Sequence, residues 1–164
     1  MQYIKGMQFY QNDKKTAITL GKFDGLHRGH ETLIERVIEH QKNDGVDSVV
    51  FAFDMAPLYE KIKKKKESLI TNEERAGRLF GRVDYLVECP FVEAVSKIEA
   101  ETFIKEILVK QFHAEYIVVG TDFHFGYQKK GDYHMLQQYS GEYGYEVEVI
   151  EKKCYEDREI SSPY

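Results

Sequence analysis

The sequence predicts an α/β protein, a parallel sheet of five strands with helices on both faces. Three observations lead there. Short apolar runs alternate with segments of helical period from Thr16 to Ile150, the pattern of parallel strands joined by right-handed crossovers. Val49 to Phe53 is apolar throughout, as a strand covered on both faces is. The two loops richest in Gly, His, Asp and Phe directly follow two of the strands, and open α/β sheets bind ligands beyond the carboxyl ends of their strands.

The first strand is Thr16 to Leu20, a β-branched and apolar run that ends at Gly21. Helical spacing follows. Leu33, Ile34, Val37 and Ile38 form the apolar face and Glu31, Glu35, Arg36 and Glu39 the polar one, until Asn43-Asp44-Gly45 stops the helix. Val49 to Phe53 is the second strand. Thr71-Asn72-Glu73-Glu74 fits a capping box and starts a helix that Gly81 ends. Val83 to Val87 is the third strand, and Ser96-Lys97-Ile98-Glu99 opens a helix with a second capping box and a buried stripe of Phe103, Ile104, Ile107 and Leu108. Tyr116 to Val119 is the fourth strand, Gly120 to Lys130 a loop, Asp132 to Tyr139 a short helix and Tyr145 to Ile150 the last strand. With the strand order 3-2-1-4-5, the two ligand loops become neighbours.

Composition narrows the function. The 164 residues hold 23 Lys and Arg against 28 Asp and Glu, a net charge of −5, and the isoelectric point is near 5.7. No overall basic field is available to hold nucleic acid through counterion release, so small ligands are the expected partners. At 42% hydrophobic the chain reads as one globular domain. Cys89 and Cys154 form no Cys-x-x-Cys pair and are read as free thiols. Met1 to Lys15 lacks the apolar stretch of a signal peptide, and no segment approaches the ~20 apolar residues that span a bilayer. The expectation is a cytoplasmic protein without a membrane partner.

The first loop reads Gly21-Lys22-Phe23-Asp24-Gly25-Leu26-His27-Arg28-Gly29-His30 and runs into a helix. Gly21 and Gly25 let the backbone approach a phosphate, and the helix start beyond Gly29 offers free amides and a positive dipole end. His27 and His30, three apart, can point the same way and donate to phosphate oxygens as charge builds on a transferring group. Two ordinary surface histidines, or a zinc pair, are the other readings of that spacing, although no further ligand at suitable spacing completes a zinc site. Lys129 and Lys130 are placed to meet a phosphate, Lys63 to Lys66 read as a solvated run, and Tyr139, Tyr143 and Tyr145 as packing around the last strand.

This loop resembles the G-x-F-D-x-x-H-x-G-H signature of the nucleotidylyltransferase superfamily. Val119-Gly120-Thr121-Asp122-Phe123-His124-Phe125-Gly126 is similar to the V-G-x-D-F-x-F-G motif of one branch, the FMN adenylyltransferase module of prokaryotic bifunctional FAD synthetases. Gly131-Asp132, Leu136, Gly144 and Ile160-Ser161-Ser162 extend the likeness along nearly the whole chain. The resemblance implies a Rossmann-like, doubly wound, five-stranded nucleotidylyltransferase domain over residues 1–164, with the riboflavin kinase domain that normally follows absent. It further implies transfer of AMP from ATP to FMN, giving FAD and pyrophosphate, with Mg²⁺ carried on the ATP phosphates. His27 and His30 are the implied catalytic residues. The implied nucleotide contacts are Gly21, Lys22, Phe23, Asp24, Gly25, Gly29, Gly120, Asp122, Ser161 and Ser162. The implied flavin contacts are Phe53, Pro57, Asp122, Phe123, Phe125 and Gly126.

The chain departs from the family pattern in three places. Lys22 stands where Asn is usual, Phe53-Asp54-Met55-Ala56-Pro57 replaces F-x-P-H-P, and Ile160-Ser161-Ser162-Pro163-Tyr164 replaces I-S-S-T-x-I-R. These departures leave two alternatives beside the FMN adenylyltransferase: a nucleotidylyltransferase with another phosphorylated acceptor, and a non-catalytic flavin or nucleotide binder.

Overall fold

The computed structural model describes residues 1–22, 28–57, 77 and 81–151, with 28–30 described by backbone alone. Among the described residues six strands, all parallel, form one sheet: β1 (Gln2–Lys5), β2 (Thr16–Gly21), β3 (Asp47–Asp54), β4 (Tyr85–Pro90), β5 (Ala114–Gly120) and β6 (Glu146–Ile150). Their order is β1-β4-β3-β2-β5-β6. The expected order 3-2-1-4-5 is present, but the expected count of five is corrected to six by β1, which pairs with β4 at the sheet edge. Only four residues long, with both end residues exposed, β1 carries no continuous apolar run by which a sequence reading detects a strand.

Four α-helical segments are described: α1 (Arg28–Asp44), α2 (Glu93–Ser96), α3 (Ala100–Thr102) and α4 (Tyr133–Tyr143). α1 joins β2 to β3 in one direction, while the β4 to β5 connection runs back across the sheet. Right-handed crossovers of opposite direction put their helices on opposite faces. The two cores follow. Leu33, Ile34 and Val37 of α1 pack with Ala17, Val50, Ala52, Leu86 and Val118. The strand residues of the other parity, including Ile18, Leu20, Val49, Phe51, Val87, Ile117 and Val119, pack with Phe103, Ile104, Leu108, Phe112 and Leu136. Among the described residues no helix is long and apolar enough to cross a membrane.

The second capping box is also corrected. α2 ends at Ser96 instead of a helix beginning there, because the Ser96 hydroxyl donates backwards to the Glu93 carbonyl at 2.8 Å. Helix resumes at Ala100 after an extended Glu99, and from Phe103 to Gln111 it is a π-helix. The buried positions explain the wider turn. Phe103 and Ile104, then Ile107 and Leu108, then Phe112 recur at four to five residues, longer than the α-helical repeat of about 3.6. Asp132 caps α4 by accepting from the Met135 amide at 3.1 Å, and α4 runs on to Tyr143, four residues beyond the expected end. Tyr145 packs as expected, donating its hydroxyl to the Leu136 carbonyl at 2.6 Å. The capping box at Thr71 to Glu74, Lys63 to Lys66 and Cys154 lie outside the described residues.

α1 is fixed to β6 by charge. Arg36 donates Nε and Nη2 to the two carboxylate oxygens of Glu148 at 2.6 and 2.9 Å. His40 places Nε2 2.9 Å from Glu148 and Nδ1 2.7 Å from Asp44, and stacks on the Tyr116 ring with centroids 3.8 Å apart. Burial opposes ionisation of Glu148, but the hydrogen bonds from Arg36 and His40 outweigh it and hold the carboxyl below its ordinary value.

The segment after β5 is docked against α3 by glycines. A Cβ on Gly126, whose φ is +81°, would meet the Ala100 backbone at 2.7 Å, and one on Gly131 would meet the Phe125 ring at 2.7 Å. Phe125 and Gly131 exchange backbone hydrogen bonds of 3.0 and 2.8 Å, and the Tyr127 amide donates to the Ile98 carbonyl at 2.8 Å.

These contacts can be tested one at a time. A group whose folded pKa is depressed adds stability above its unfolded pKa and loses it as pH falls through the folded one. Glu148→Gln is therefore expected to destabilise the protein by about 1 to 3 kcal/mol at pH 7, the gap to wild type closing below pH ~4, as read by urea denaturation at both pH values. For the glycines, Gly126→Ala is expected to cost about 2 to 4 kcal/mol through left-handed strain and overlap. Gly141→Ala, exposed in α4 with nothing within 4 Å, is expected to gain about 0.5 to 1 kcal/mol. Thermal melts of the two variants check the contrast.

Candidate active site

β2 and β5 are hydrogen-bonded neighbours in parallel, with Ile18 opposite Ile117 and Thr19 opposite Val118. Their carboxyl ends, Gly21 and Gly120, therefore emerge side by side. β2 continues on its other flank into β3, where Gly21 lies opposite Ala52. The strand order thus reverses between these two strands, and a crevice opens at such a point. Gly21 is half-buried and Lys22 exposed. Phe23, Asp24, Gly25 and His27 lie outside the described residues, and α1 begins at Arg28, so that Gly29 and His30 belong to its first turn. The first loop leads directly into the positive end of a 17-residue helix, a suitable place for an anion.

The second loop folds tightly on leaving β5. Gly120 is buried opposite Ile150 of β6, and the Phe123 amide donates to the Gly120 carbonyl at 3.1 Å. Asp122 is exposed. The exposed His124, to which the sequence assigns no role, has Nδ1 3.0 Å from the Asp122 carbonyl. Its sequence signal is its place between Phe123 and Phe125. Gln128 and Lys129 both hold a left-handed φ of +57°, conformations that non-glycine residues keep only where their surroundings impose them. Here the docking of Gly126 and Gly131 does so. Lys129 and Lys130 are exposed at this turn.

Beneath the carboxyl edge runs a row of rings. Phe91 meets Phe53 at 6.2 Å, Phe53 meets Phe103 at 6.2 Å, Phe103 meets Phe125 at 5.7 Å and Phe125 stacks on Phe123 at 5.6 Å. Phe53 and Phe125 are buried in the core, and Phe123 is partly exposed. The row links the carboxyl ends of β3 and β5 across the core, with Phe91 and Phe123 its partly exposed ends. Sequence reasoning points to Phe53, Phe123 and Phe125 but misses Phe91 and Phe103, which connect them. Phe103 reads as part of a helix stripe, and its second contact requires the tertiary fold. Pro57 is half-buried just past the end of β3. Cys89, opposite Phe53, is buried, and burial with nearby Asp54 pushes its thiol up to about 11. It is a neutral thiol at neutral pH rather than a nucleophile. Ser161 and Ser162 lie outside the described residues.

One charged contact of α1 has no signal in the sequence. Arg82 donates Nη1 and Nη2 to the two oxygens of Glu31 at 3.0 and 2.6 Å. By spacing alone Glu31 belongs simply to the polar face of α1.

Comparison with known proteins agrees with this geometry. Residues 9–164 match the family described as FAD synthetase. The chain is 31% identical over 148 residues to the bifunctional riboflavin kinase/FMN adenylyltransferase of Escherichia coli K12, covering 89% of this chain and 47% of that protein. It is 28% identical to the protein of the same name from Buchnera aphidicola subsp. Schizaphis graminum, over 99% of this chain and 53% of the relative. The chain thus spans about half the length of these curated relatives. A solved Streptococcus pneumoniae structure described as a macrolide-efflux protein superposes on 92% of this chain and 50% of its own, with a TM-score of 0.74 at 24% identity, a likeness of fold alone. With a family match that takes in β2 to β6 and both glycine loops, the chain belongs to the FAD synthetase family.

Proposed function

We propose that the protein transfers the adenylyl group of ATP to the phosphate of FMN, releasing FAD and pyrophosphate. The observation that most supports this is the placement of the two glycine loops at the carboxyl ends of adjacent strands, with α1 starting directly behind the first. The family match and the activity named for the relatives accord with it.

In this reading a phosphate oxygen of FMN attacks the α-phosphorus of ATP. A new P–O bond forms, the bond to the bridging oxygen breaks, and its electron pair leaves with pyrophosphate. The attacking oxygen is already ionised, so alignment and charge neutralisation matter more than a protein nucleophile. His27 and His30 donate to the phosphates, Gly21, Gly25 and Gly29 allow close backbone approach, and Phe23, Asp24 and Lys22 complete the first loop. Gly120 and Asp122 border the nucleotide from the second loop, and Ser161 and Ser162 hold the outer phosphates. Phe123, Phe125 and Gly126, with Phe53 and Pro57, wall the isoalloxazine ring.

Magnesium in this proposal arrives as part of the Mg·ATP substrate, with phosphate oxygens and water as its ligands, and neutralises phosphate charge. Among the described residues no three His, Cys, Asp or Glu side chains gather into a metal site. ATP and FMN are the proposed partners and the cytoplasm the proposed location.

The test is incubation with FMN and Mg·ATP followed by chromatographic separation of the flavins. FAD above the blank is expected, and its absence refutes the proposal. Activity is expected to vanish on chelation and to return with Mg²⁺ but not with Zn²⁺. His27→Ala and His30→Ala are each expected to lower kcat by about 10² to 10³ with little change in ATP affinity. An unchanged kcat would assign these histidines to structure.

A further inference from the structure

Glu31 occupies the first turn of α1, directly after His30. A carboxylate there is favoured by the helix dipole, yet it competes for the same positive end that the proposed reaction offers to the ATP phosphates. Arg82 answers that conflict. It comes from the turn ahead of β4, 51 positions away in sequence, and grips both carboxylate oxygens at 3.0 and 2.6 Å, the paired geometry that best fixes a carboxylate in direction. The Arg82 and Glu31 side chains are 35% and 32% exposed. Ion pairs at such exposure contribute little to global stability, so the consequence of this pair lies in its local setting.

We propose that Arg82 serves the phosphate-binding end of α1 by charge: clamping and neutralising Glu31, it removes the charge that opposes a polyphosphate. Without the guanidinium, an uncompensated carboxylate stands within one turn of the triphosphate and repels it. The inference rests on the adenylyl-transfer reading only for the identity of the ligand, ATP.

The experiment compares wild type, Arg82→Gln and the double variant Arg82→Gln/Glu31→Gln. Mg·ATP affinity is read by calorimetry, FAD formation by chromatography and Tm by thermal melting. Arg82→Gln is expected to weaken ATP binding about tenfold, with Tm within about 2 °C of wild type and a deficit that shrinks at high salt. The double variant is expected to recover affinity to within about threefold of wild type, because the repelling charge is gone. Wild-type affinity in Arg82→Gln overturns the proposal, as does a double variant no better than the single one. A fall in Tm beyond ~10 °C in Arg82→Gln also overturns it, by showing the contact to be structural. If wild type binds ATP but forms no FAD, the adenylyl-transfer reading fails while the ATP affinities still decide the role of Arg82. If wild type binds no ATP, both fall.

Discussion

The hydrogen bonding of β2 to β5 is the constraint from which the rest of the molecule follows. Two strands far apart in sequence pair in parallel inside the sheet, and the connections on either side must then run in opposite directions. That opposition puts α1 on one face and the π-helix with α4 on the other. It also sends the chain beyond Gly21 and the chain beyond Gly120 toward different faces, so that a crevice opens between the two loops. The apolar parity of the strands, Ala17, Val50 and Val118 against Ile18, Val49 and Ile117, makes this arrangement stable, since a slip of one residue would exchange the two cores.

The two loops are held by different physics. The second is held by close contact: Gly126 and Gly131 bring the backbone against Ala100 and Phe125, and the left-handed Gln128 and Lys129 are carried by that docking. The first depends on the helix behind it. α1 is buried along Leu33, Ile34 and Val37, and polar contacts orient it along its length: Arg82 on Glu31 in its first turn, and Glu148 on Arg36 and His40 in its second half. Burial supplies most of the free energy, and the charged contacts, partly solvated, supply direction.

Features that depend on near neighbours in the chain are legible in the sequence. Apolar runs reveal β2 to β6, Gly45 marks the end of α1, and the glycine loops point to the carboxyl edge of the sheet. The features that escape it share a cause, because each depends on partners or packing that spacing does not show. β1 is too short to show a period and exists because β4 offers it an edge. Ser96 has the composition of a forward cap, but its hydroxyl turns to the carbonyl behind it. Glu31 looks like any solvent-facing charge until the fold brings Arg82 to it. Phe91 and Phe103 join the row of rings only once β3 and the π-helix are packed together.

The π-helix bears on how this crossover can change in length. A segment bonded from residue i to i+5 holds more residues per unit of axis than an α-helix, so Phe103–Gln111 stores a small surplus of chain between two fixed endpoints, the docked Ala100 and the start of β5. Deleting a solvent-facing residue such as Lys105 can be absorbed by tightening the turn toward α geometry, with Phe103 and Phe112 kept in place. The segment from Gly126 to Gly131 has no such slack. Insertions and deletions in this lineage should therefore accumulate in the crossover helix and be purged from the loop it supports.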